Sequence, residues 1–506
     1  MALGFGAANA AALSKIGKRR PLGIATRDRG ATRPSGPAAP PALADAAPEP
    51  PDNHLYDIVI HGGRVMDPET GFDRVIEVGI DGPTITAITE RSLNGRITID
   101  ATGKVVAPGF IDMISYDPNP YGIWFKVADG VTTNLGMHGM LMTAEQYFGT
   151  YADQGSPCHY GGAYDNYFMR GIGRFDIGSG EAASKRQLDQ LVADIDEQLH
   201  QGWIGASFSP EYSPGMTSEE IDRQATVAAQ YGLPCFFHGR YSTDIPPDDN
   251  QKTLGEILDV ARTTGAAVHV MHITSTGGTY QMPQSLATLQ QARDSGIDVT
   301  ACLYPYNFWA TYIQSARFSD GWQQRFHISY NDLVVPGTGE RLTEQRFNEL
   351  RNSPTNRLVA AYAIPEADIV AGLQSPFTMV GSDAILTQGD NNHPRGAGCF
   401  SRVLGRYVRE QRTLSLMDAL AKMTILPAKR LEAKAPALTK KGRVQRGADA
   451  DITIFDPNEI IDRATVEDPS QASKGVDYVL VLGTMVLSPD GLDKSKKPGQ
   501  PIKSVL

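Results

Sequence analysis

The stretch GVTTNLGMHGMLMTAEQYFGTYA, residues 130–152, shows the strand-to-helix alternation that decides the fold. Its first part, 130–136, is a run typical of a buried strand, and 143–152 has the pattern of a helix. The alternation recurs, with strands expected at 203–209, 233–238, 267–272, 299–304 and 377–383 and helices at 218–231, 254–264 and 283–295. Because it continues over about 330 residues, we expect an α/β protein built on a parallel TIM (β/α)8 barrel.

Both ends of the chain contain short strands. The run from Tyr56 to Val65 alternates β-branched residues and includes a Gly-Gly turn, and 450–456 and 478–486 repeat the pattern. We therefore expect one small β-sandwich domain built from residues 54–108 and 440–506. The barrel is predicted to span 109–439, with an irregular insertion at about 312–374 that helps to cover its mouth.

Residues 1–53 differ in composition from the rest of the chain. A mildly apolar segment, 2–13, precedes a basic one, 15–20, and 31–51 is dense in Ala and Pro. Such a segment buries too little apolar area to fold, so we expect either a disordered extension or the remnant of an export signal. The localisation stays open between the cytoplasm, as the default, and export to the periplasm or medium.

The overall composition narrows the classes of partner. The 506 residues carry a formal net charge of −10, which repels the phosphates of nucleic acid. No apolar run reaches the ~18 to 20 residues of a membrane helix, and the four separated cysteines exclude a zinc ribbon. The expected partner is a small molecule, with the oligomeric state left open.

Three histidines and one aspartate follow predicted strands: His138, His238, His272 and Asp383. In a parallel barrel, catalytic groups lie at the carboxyl ends of the strands. One such histidine alone is more often structural, but the chain has only ten and three fall at these ends. Three neutral imidazoles with one open position suit Zn²⁺, which lowers the pKa of bound water toward ~7. Asp383 is then the candidate to take the proton of that water and pass it to a leaving nitrogen.

These residues lie in motifs of a known family. The chain from Tyr56 onward resembles the N-acyl-D-amino-acid deacylases (D-aminoacylases) of the amidohydrolase superfamily. The segments that carry the resemblance are VVAPGFID, DGVTTNLGMHG, GASFSPEYSPG, FHGR, HVMHITSTG, YPYNFWAT, VGSDA, HPRGAGCFSRVLGRYVRE and GADADITIFDP. The resemblance implies a zinc hydrolase with a TIM barrel and a β-sandwich that cleaves the amide of an N-acyl amino acid.

The resemblance also implies roles for the strand-end residues. His238 and His272 match the two zinc histidines of the family, and Asp383 matches its catalytic aspartate. His138 stands where that branch has a cysteine ligand, so one good zinc ligand replaces another. These matches imply one tightly held zinc ion.

The chain departs from the family at the end of the first barrel strand. The positions of the His-x-His motif, which serves a second and weaker metal, are Ile114 and Tyr116. We therefore expect one zinc per chain, with an apolar and phenolic wall in place of the second metal. Tyr116 either donates to the developing oxyanion or only fills the space.

Further matches concern the substrate. Tyr212, Tyr304 and Tyr306 stand where the family has tyrosines near the substrate, and its substrate-binding lysine is replaced by Thr274. Arg240 or Arg395 is expected to supply a cation for the substrate carboxylate, unless each is a structural ion-pair partner. Glu211 is read as an exposed or hydrogen-bonding residue rather than a metal ligand.

Together these features predict a mononuclear zinc amidohydrolase acting on an N-acyl amino acid or a related small amide. Two alternatives remain: a non-hydrolytic enzyme on the same fold, and a catalytically silent binding protein. The acyl group, the side chain and the handedness of the substrate stay undetermined.

Overall fold

The computed structural model describes residues 39–506, and its centre is a parallel β-barrel. Within residues 110–380 its eight strands are Phe110–Asp112, Val131–Gly136, His159–Gly162 continued by Tyr164–Asp165, Ala206–Phe208, Cys235–Phe237, Val268–Val270, Val299–Leu303 and Thr378–Val380. The eighth strand meets the first where the Asp383 backbone N–H donates to the Ile114 carbonyl at 2.6 Å. The predicted α/β barrel is confirmed.

Helices connect the strands and cover the barrel. The α-helices of the described residues are Ile123–Ala128, Ala144–Gln154, Asn166–Phe168, Lys185–His200, Ser218–Gln230, Asn250–Thr264, Met282–Asp294, Trp322–Phe326, Glu344–Arg351, Glu366–Gln374, Arg395–Arg402, Leu416–Met423 and Ile425–Leu431. Shorter π and 3₁₀ segments are Met169–Gly173, Val403–Glu410, Ala316–Phe318, Tyr330–Asp332 and Pro436–Lys440. None of the helices in this part of the chain is long and apolar enough to cross a bilayer.

The helix Ser218–Gln230 shows how sequence sets a helix start. Thr217 accepts the Glu220 backbone N–H at 3.2 Å, as a threonine at the start of a helix commonly does. The Glu220 side chain does not complete a capping box, because it accepts from the buried guanidinium of Arg170 at 3.0 Å. The Glu220 carboxylate thus forms a buried ion pair with Arg170 instead of accepting the backbone N–H of Thr217.

A β-sandwich stands beside the barrel and contains strands from both ends of the chain. Its four-stranded sheet has the order Thr84–Thr89, Glu77–Asp81, Leu55–His61, Asn94–Asp100. Its seven-stranded sheet has the order Gly491–Leu492, Thr484–Ser488, Val476–Val481, Ile452–Phe455, Val105–Pro108, Arg64–Asp67, Phe72–Val75. Ile454 lies opposite Val106 where the two chain ends meet, and both are fully buried. The predicted sandwich built from both ends is confirmed.

The insertion forms a small sheet over the mouth of the barrel. Its strands, in sheet order, are Trp309–Tyr312, Leu358–Ala361, Leu333–Val335 and Glu340–Arg341. The insertion ends earlier than predicted, because Glu366–Gln374 packs against the helix Met282–Asp294 as a helix of the barrel itself. It is held together by aromatic contacts such as Trp322 stacked on Phe347 at 5.3 Å.

The structure differs from the predicted domain limits at both ends. Of the extension predicted for 1–53, residues 1–38 lie outside the described residues. Residues 39–53 have no helix or strand but pack on the sandwich, with Leu43 donating to the Arg446 carbonyl at 2.9 Å. The last residues leave the sandwich and follow the barrel, because Ile502 donates to the Tyr160 carbonyl at 2.6 Å and is fully buried.

Candidate active site

The three strand-end histidines converge at the mouth of the barrel. His138, His238 and His272 each offer one ring nitrogen, and these nitrogens all lie within 4.8 Å of one another. All three side chains are buried. The convergence follows from the fold, because the carboxyl ends of neighbouring parallel strands open into one cavity. It is the arrangement that their positions in the sequence predict.

The spacing and protonation of the imidazoles fit a zinc ion. Nδ1 of His238 and Nε2 of His272 are 3.2 Å apart. Two nitrogens bound tetrahedrally at about 2.0–2.1 Å would be about 3.3 Å apart. Burial lowers the pKa of both rings well below the ordinary value, so they are neutral and can act as ligands. Nδ1 of His138 is buried with no hydrogen-bond partner among the described residues. The residues fit the metal.

Asp383 lies at the edge of this cluster. Its Oδ1 is 3.9 Å from Nε2 of His138, and its Oδ2 is 2.8 Å from the Arg395 guanidinium. Arg395 also donates to the backbone carbonyl of Asp383 at 2.7 Å, which holds the residue at a left-handed φ of 50°. Burial raises the pKa of Asp383, but the charge of the Arg395 guanidinium outweighs this effect and the pKa falls below its ordinary value. The side chain is therefore a carboxylate that can accept a proton.

Tyr116 and Ile114 occupy the wall beside Asp383. The Tyr116 hydroxyl is 3.4 Å from Oδ1 of Asp383, and its ring lies 5.9 Å from that of His138. The ring fits because residue 139 is glycine: a Cβ at Gly139 would lie 2.3 Å from Tyr116. Burial and the Asp383 charge raise the pKa of Tyr116 well above its ordinary value, so the phenol keeps its proton and can donate.

Two of the predicted substrate residues, Tyr212 and Tyr304, lie beside the histidine rings, whereas Cγ2 of Thr274 faces Gly372 of the helix Glu366–Gln374. The Tyr212 ring is 4.6 Å from that of His238, and burial raises the pKa of Tyr212 to about 12. The Tyr304 ring is 6.4 Å from that of His272. Among the described residues, the Tyr304 hydroxyl and Thr274 Oγ1 are buried without a hydrogen-bond partner. Buried polar atoms of this kind are available to a ligand.

Arg395 is the third predicted substrate residue beside the histidine cluster. Its guanidinium lies 4.3 Å from the centre of the Tyr304 ring. Its NH1 group is buried and has no partner within 39–506. The imidazole of His393 orients it by accepting its backbone N–H at 3.0 Å. Arg395 therefore presents a cation to the site.

The structure does not bring Arg240 or Tyr306 to the histidines. Arg240 donates to Glu256 at 2.9 Å and to the Met216 carbonyl at 2.9 Å. It is therefore a structural ion-pair partner, which is one of the two roles that the sequence allowed. Tyr306 lies under the Arg402 guanidinium, 4.6 Å from ring centre to cation. Both residues stand beyond the last strand residue, where strand alternation no longer sets the side-chain direction. Their assignment to the substrate site is corrected.

Two further charged residues lie in the site, and neither was assigned a role there from the sequence. Glu211 is the hydrogen-bonding residue that its sequence position allowed: its side chain is 11% exposed, and its Oε2 accepts from Nε2 of His238 at 2.6 Å. Arg317, from the insertion, donates to Oε2 of Glu211 at 3.1 Å and lies 4.2 Å from the Trp309 ring centre. The sequence offered one sign that Glu211 belongs to the site: it adjoins Tyr212 in the motif GASFSPEYSPG. Nothing in the local sequence of Arg317 marks it.

Comparisons with known proteins show the relatives of this chain. A model described as the amidohydrolase family matches residues 367–487. N-acyl-D-glutamate deacylase of Alcaligenes xylosoxydans xylosoxydans is 31% identical over 472 residues, which cover 85% of this chain and 93% of that protein. N-acyl-D-aspartate deacylase of the same organism is 27% identical over 485 residues, which cover 88% and 94%.

A solved structure extends the comparison to the fold. The N-acyl-D-glutamate deacylase of Bordetella bronchiseptica, complexed with zinc and a phosphonate inhibitor, superposes with a TM-score of 0.75. It is 27% identical and the match covers 89% of this chain and all of that one. This fold and its similarity to named deacylases define a metal-dependent hydrolase of carbon–nitrogen bonds. The chain belongs to the N-acyl-D-amino-acid deacylase (D-aminoacylase) family of the amidohydrolase superfamily.

Proposed function

We propose that the protein is a mononuclear zinc deacylase that hydrolyses N-acyl-D-amino acids with an acidic side chain. The observation that carries the proposal is the cluster of three buried imidazoles with Asp383 beside it. The D configuration and the acyl-amino-acid class come from the named relatives, which act on N-acyl-D-glutamate and N-acyl-D-aspartate.

His138, His238 and His272 would hold the zinc. When bound, the ion lowers the pKa of water and polarises the substrate carbonyl. A single ion is expected because Ile114 and Tyr116 stand at the positions of the second metal's His-x-His ligands. Neither the aliphatic chain nor the protonated phenol is a zinc ligand of the usual kind.

Asp383 is the proposed general base and acid. As a carboxylate it can take a proton on Oδ1 from the attacking water and deliver it to the leaving nitrogen. Arg395 holds Oδ2 and thereby aims Oδ1 toward His138. The Tyr116 hydroxyl, at 3.4 Å from Oδ1, is the proposed donor to the oxyanion that forms during attack.

Two arginines are proposed to recognise a substrate with two carboxylates. The free NH1 of Arg395 and the free hydroxyl of Tyr304 suit the α-carboxylate. Arg317 is also buried, and its Nε has no partner among the described residues, so it suits a side-chain carboxylate. A site with two buried cationic donors favours N-acyl-D-glutamate or N-acyl-D-aspartate over neutral analogues.

The test is to incubate zinc-loaded protein with N-acetyl-D-glutamate, N-acetyl-D-aspartate, N-acetyl-D-glutamine, N-acetyl-D-leucine and N-acetyl-L-glutamate. We expect equal amounts of acetate and free amino acid, with kcat/KM highest for the acidic D substrates. Consumption of substrate without acetate would support a non-hydrolytic enzyme, and binding without turnover would support a silent protein. Preference for N-acetyl-D-leucine would contradict the acidic side chain.

A further inference from the structure

We propose that Glu211 is a positioning residue that connects the metal site to the binding of the substrate's side-chain carboxylate through Arg317. The inference rests on the proposed function for the substrate, although its first part concerns zinc affinity alone. Glu211 lies in the turn after the barrel strand Ala206–Phe208, and its carboxylate faces into the barrel mouth. No motif match assigns it a role.

One oxygen of Glu211 collects three donors. Its Oε2 accepts from Nε2 of His238 at 2.6 Å, from Oγ of Ser242 at 3.1 Å and from NH1 of Arg317 at 3.1 Å. The donors come from a barrel strand end, the loop after it and the insertion. A carboxylate with three donors on one oxygen has a single favourable position, so each partner helps to orient the others.

The contact with His238 decides which ring nitrogen faces the metal. When Nε2 carries the hydrogen donated to Glu211, Nδ1 keeps its lone pair. That Nδ1 is the atom 3.2 Å from Nε2 of His272. Glu211 therefore selects the tautomer and the ring orientation in which His238 can bind zinc.

Arg317 is hydrogen-bonded to the two residues that contact the histidine rings, Glu211 at His238 and Ser275 at His272. Its NH1 donates to Glu211, and its NH2 donates to the Ser275 carbonyl at 2.7 Å. The Ser275 hydroxyl lies 3.2 Å from Nδ1 of His272, the ring nitrogen opposite the one near His238. A single guanidinium from the insertion thus holds the residues that orient His238 and His272.

This geometry makes the two binding events interdependent. A ligand that pulls Arg317 toward itself acts on Glu211 and Ser275, and a change at Glu211 releases Arg317 from its place beside the cavity. Linkage requires that the effect be reciprocal, so a bound dicarboxylate changes zinc affinity by the factor by which zinc changes the affinity for the dicarboxylate. The substrate class affected is the one with a second carboxylate.

The test compares zinc affinity and kinetics in Glu211→Ala, Glu211→Gln and Arg317→Met. The matched control is Glu256→Ala, which removes a carboxylate paired with Arg240 outside the site. Zinc affinity is measured by competition with a chromophoric chelator without substrate. Steady-state kcat and KM are then measured at saturating zinc with N-acetyl-D-glutamate and N-acetyl-D-glutamine.

We expect Glu211→Ala to weaken zinc binding by about 10- to 100-fold, the usual effect of losing the hydrogen-bond partner of a metal-bound histidine. Glu211→Gln keeps an acceptor and should lose less. Both variants should raise KM for N-acetyl-D-glutamate more than for N-acetyl-D-glutamine, and Glu256→Ala should change neither quantity. Arg317→Met should also weaken zinc binding, and it serves as the test if the Glu211 variants do not fold.

Zinc affinity equal to wild type in folded Glu211→Ala and Arg317→Met would overturn the proposal. So would an equal rise in KM for both substrates. These outcomes are separate from failure of the proposed function, because zinc affinity is measured without substrate. If the wild type hydrolysed neither compound, the deacylase proposal would fail while the zinc measurements would still test the role of Glu211.

Discussion

The hydroxyl of Tyr116 lies 3.4 Å from Oδ1 of Asp383, although 267 positions separate the two residues in the chain. Tyr116 follows the first barrel strand and Asp383 follows the last, so closure of the barrel brings them together. A phenol thus lies beside the proposed catalytic carboxylate, at a position where the resemblance to the family implies a metal ligand. The proposed mechanism with one metal depends on what this phenol does.

Replacement of Tyr116 by Phe tests this directly. We expect kcat for N-acetyl-D-glutamate to fall by about 10²-fold, the effect of removing one oxyanion donor, with zinc content unchanged. Tyr306→Phe is the matched control, because that ring lies under Arg402 away from the histidines. If Tyr116 only fills space, Tyr116→Phe will have the kcat of the wild type.

Asp383→Asn removes the proposed base and keeps the shape of the side chain. The expected result is a fall in kcat of about 10²- to 10⁴-fold, because proton transfer to and from the substrate loses its carrier. Zinc per chain, measured on the same sample, should stay at the wild-type level. Asp462→Asn, which alters a carboxylate bound to Arg402, provides the comparison. Full activity in Asp383→Asn would remove the aspartate from the mechanism.

Substitutions at residue 138 separate a ligand from a structural histidine. His138→Ala should lose zinc, whereas His138→Cys should keep it, because thiolate sulfur also binds zinc well. His269→Gln is the control, since His269 is equally buried but binds Thr300 rather than the cluster. Elemental analysis after dialysis measures the outcome, and retention of zinc by His138→Ala would refute the ligand assignment.

Arg395→Met tests recognition of the α-carboxylate. Because every N-acyl amino acid carries that group, we expect KM to rise by a similar factor for N-acetyl-D-glutamate and N-acetyl-D-leucine, by about 10-fold or more. The kcat should fall as well, since Arg395 also holds Asp383. A rise confined to N-acetyl-D-glutamate would show instead that Arg395 binds the side chain.

Lys422 lies away from the site, and its burial should make the unfolding free energy of the protein depend on pH. Its buried ammonium donates to the Thr378 carbonyl at 3.0 Å, and burial lowers its pKa from 10.5 to about 8. Between these values the unfolded chain holds a proton that the folded chain has lost, so stability rises with pH. Relative to Lys422→Met, the wild type should gain about 2–3 kcal/mol of unfolding free energy between pH about 7 and about 10.

Urea unfolding of both proteins across this pH range measures the difference. The exposed Lys496→Met provides the control and should run parallel to the wild type. Parallel curves for wild type and Lys422→Met would mean that Lys422 has the same pKa in the folded and unfolded chains.

The barrel and its histidine cluster could be predicted because both depend on local patterns. Strand-like runs mark where the barrel strands end, and parallel strands bring residues such as His138 and His272 to one place. Arg317 could not be predicted, because it reaches the site from an irregular insertion whose path over the barrel has no periodic signal. Arg240 was misplaced because two residues after His238 the strand has ended, and its side chain turns to Glu256.

The decisive measurement for the proposed one-zinc site is the zinc content of purified wild type and of His238→Ala, determined by elemental mass spectrometry. We expect one zinc per chain in the wild type, loss of that zinc in His238→Ala, and deacylation in proportion to the zinc-loaded fraction. Two tightly held zinc ions per chain, or full activity in protein stripped of metal, would contradict it.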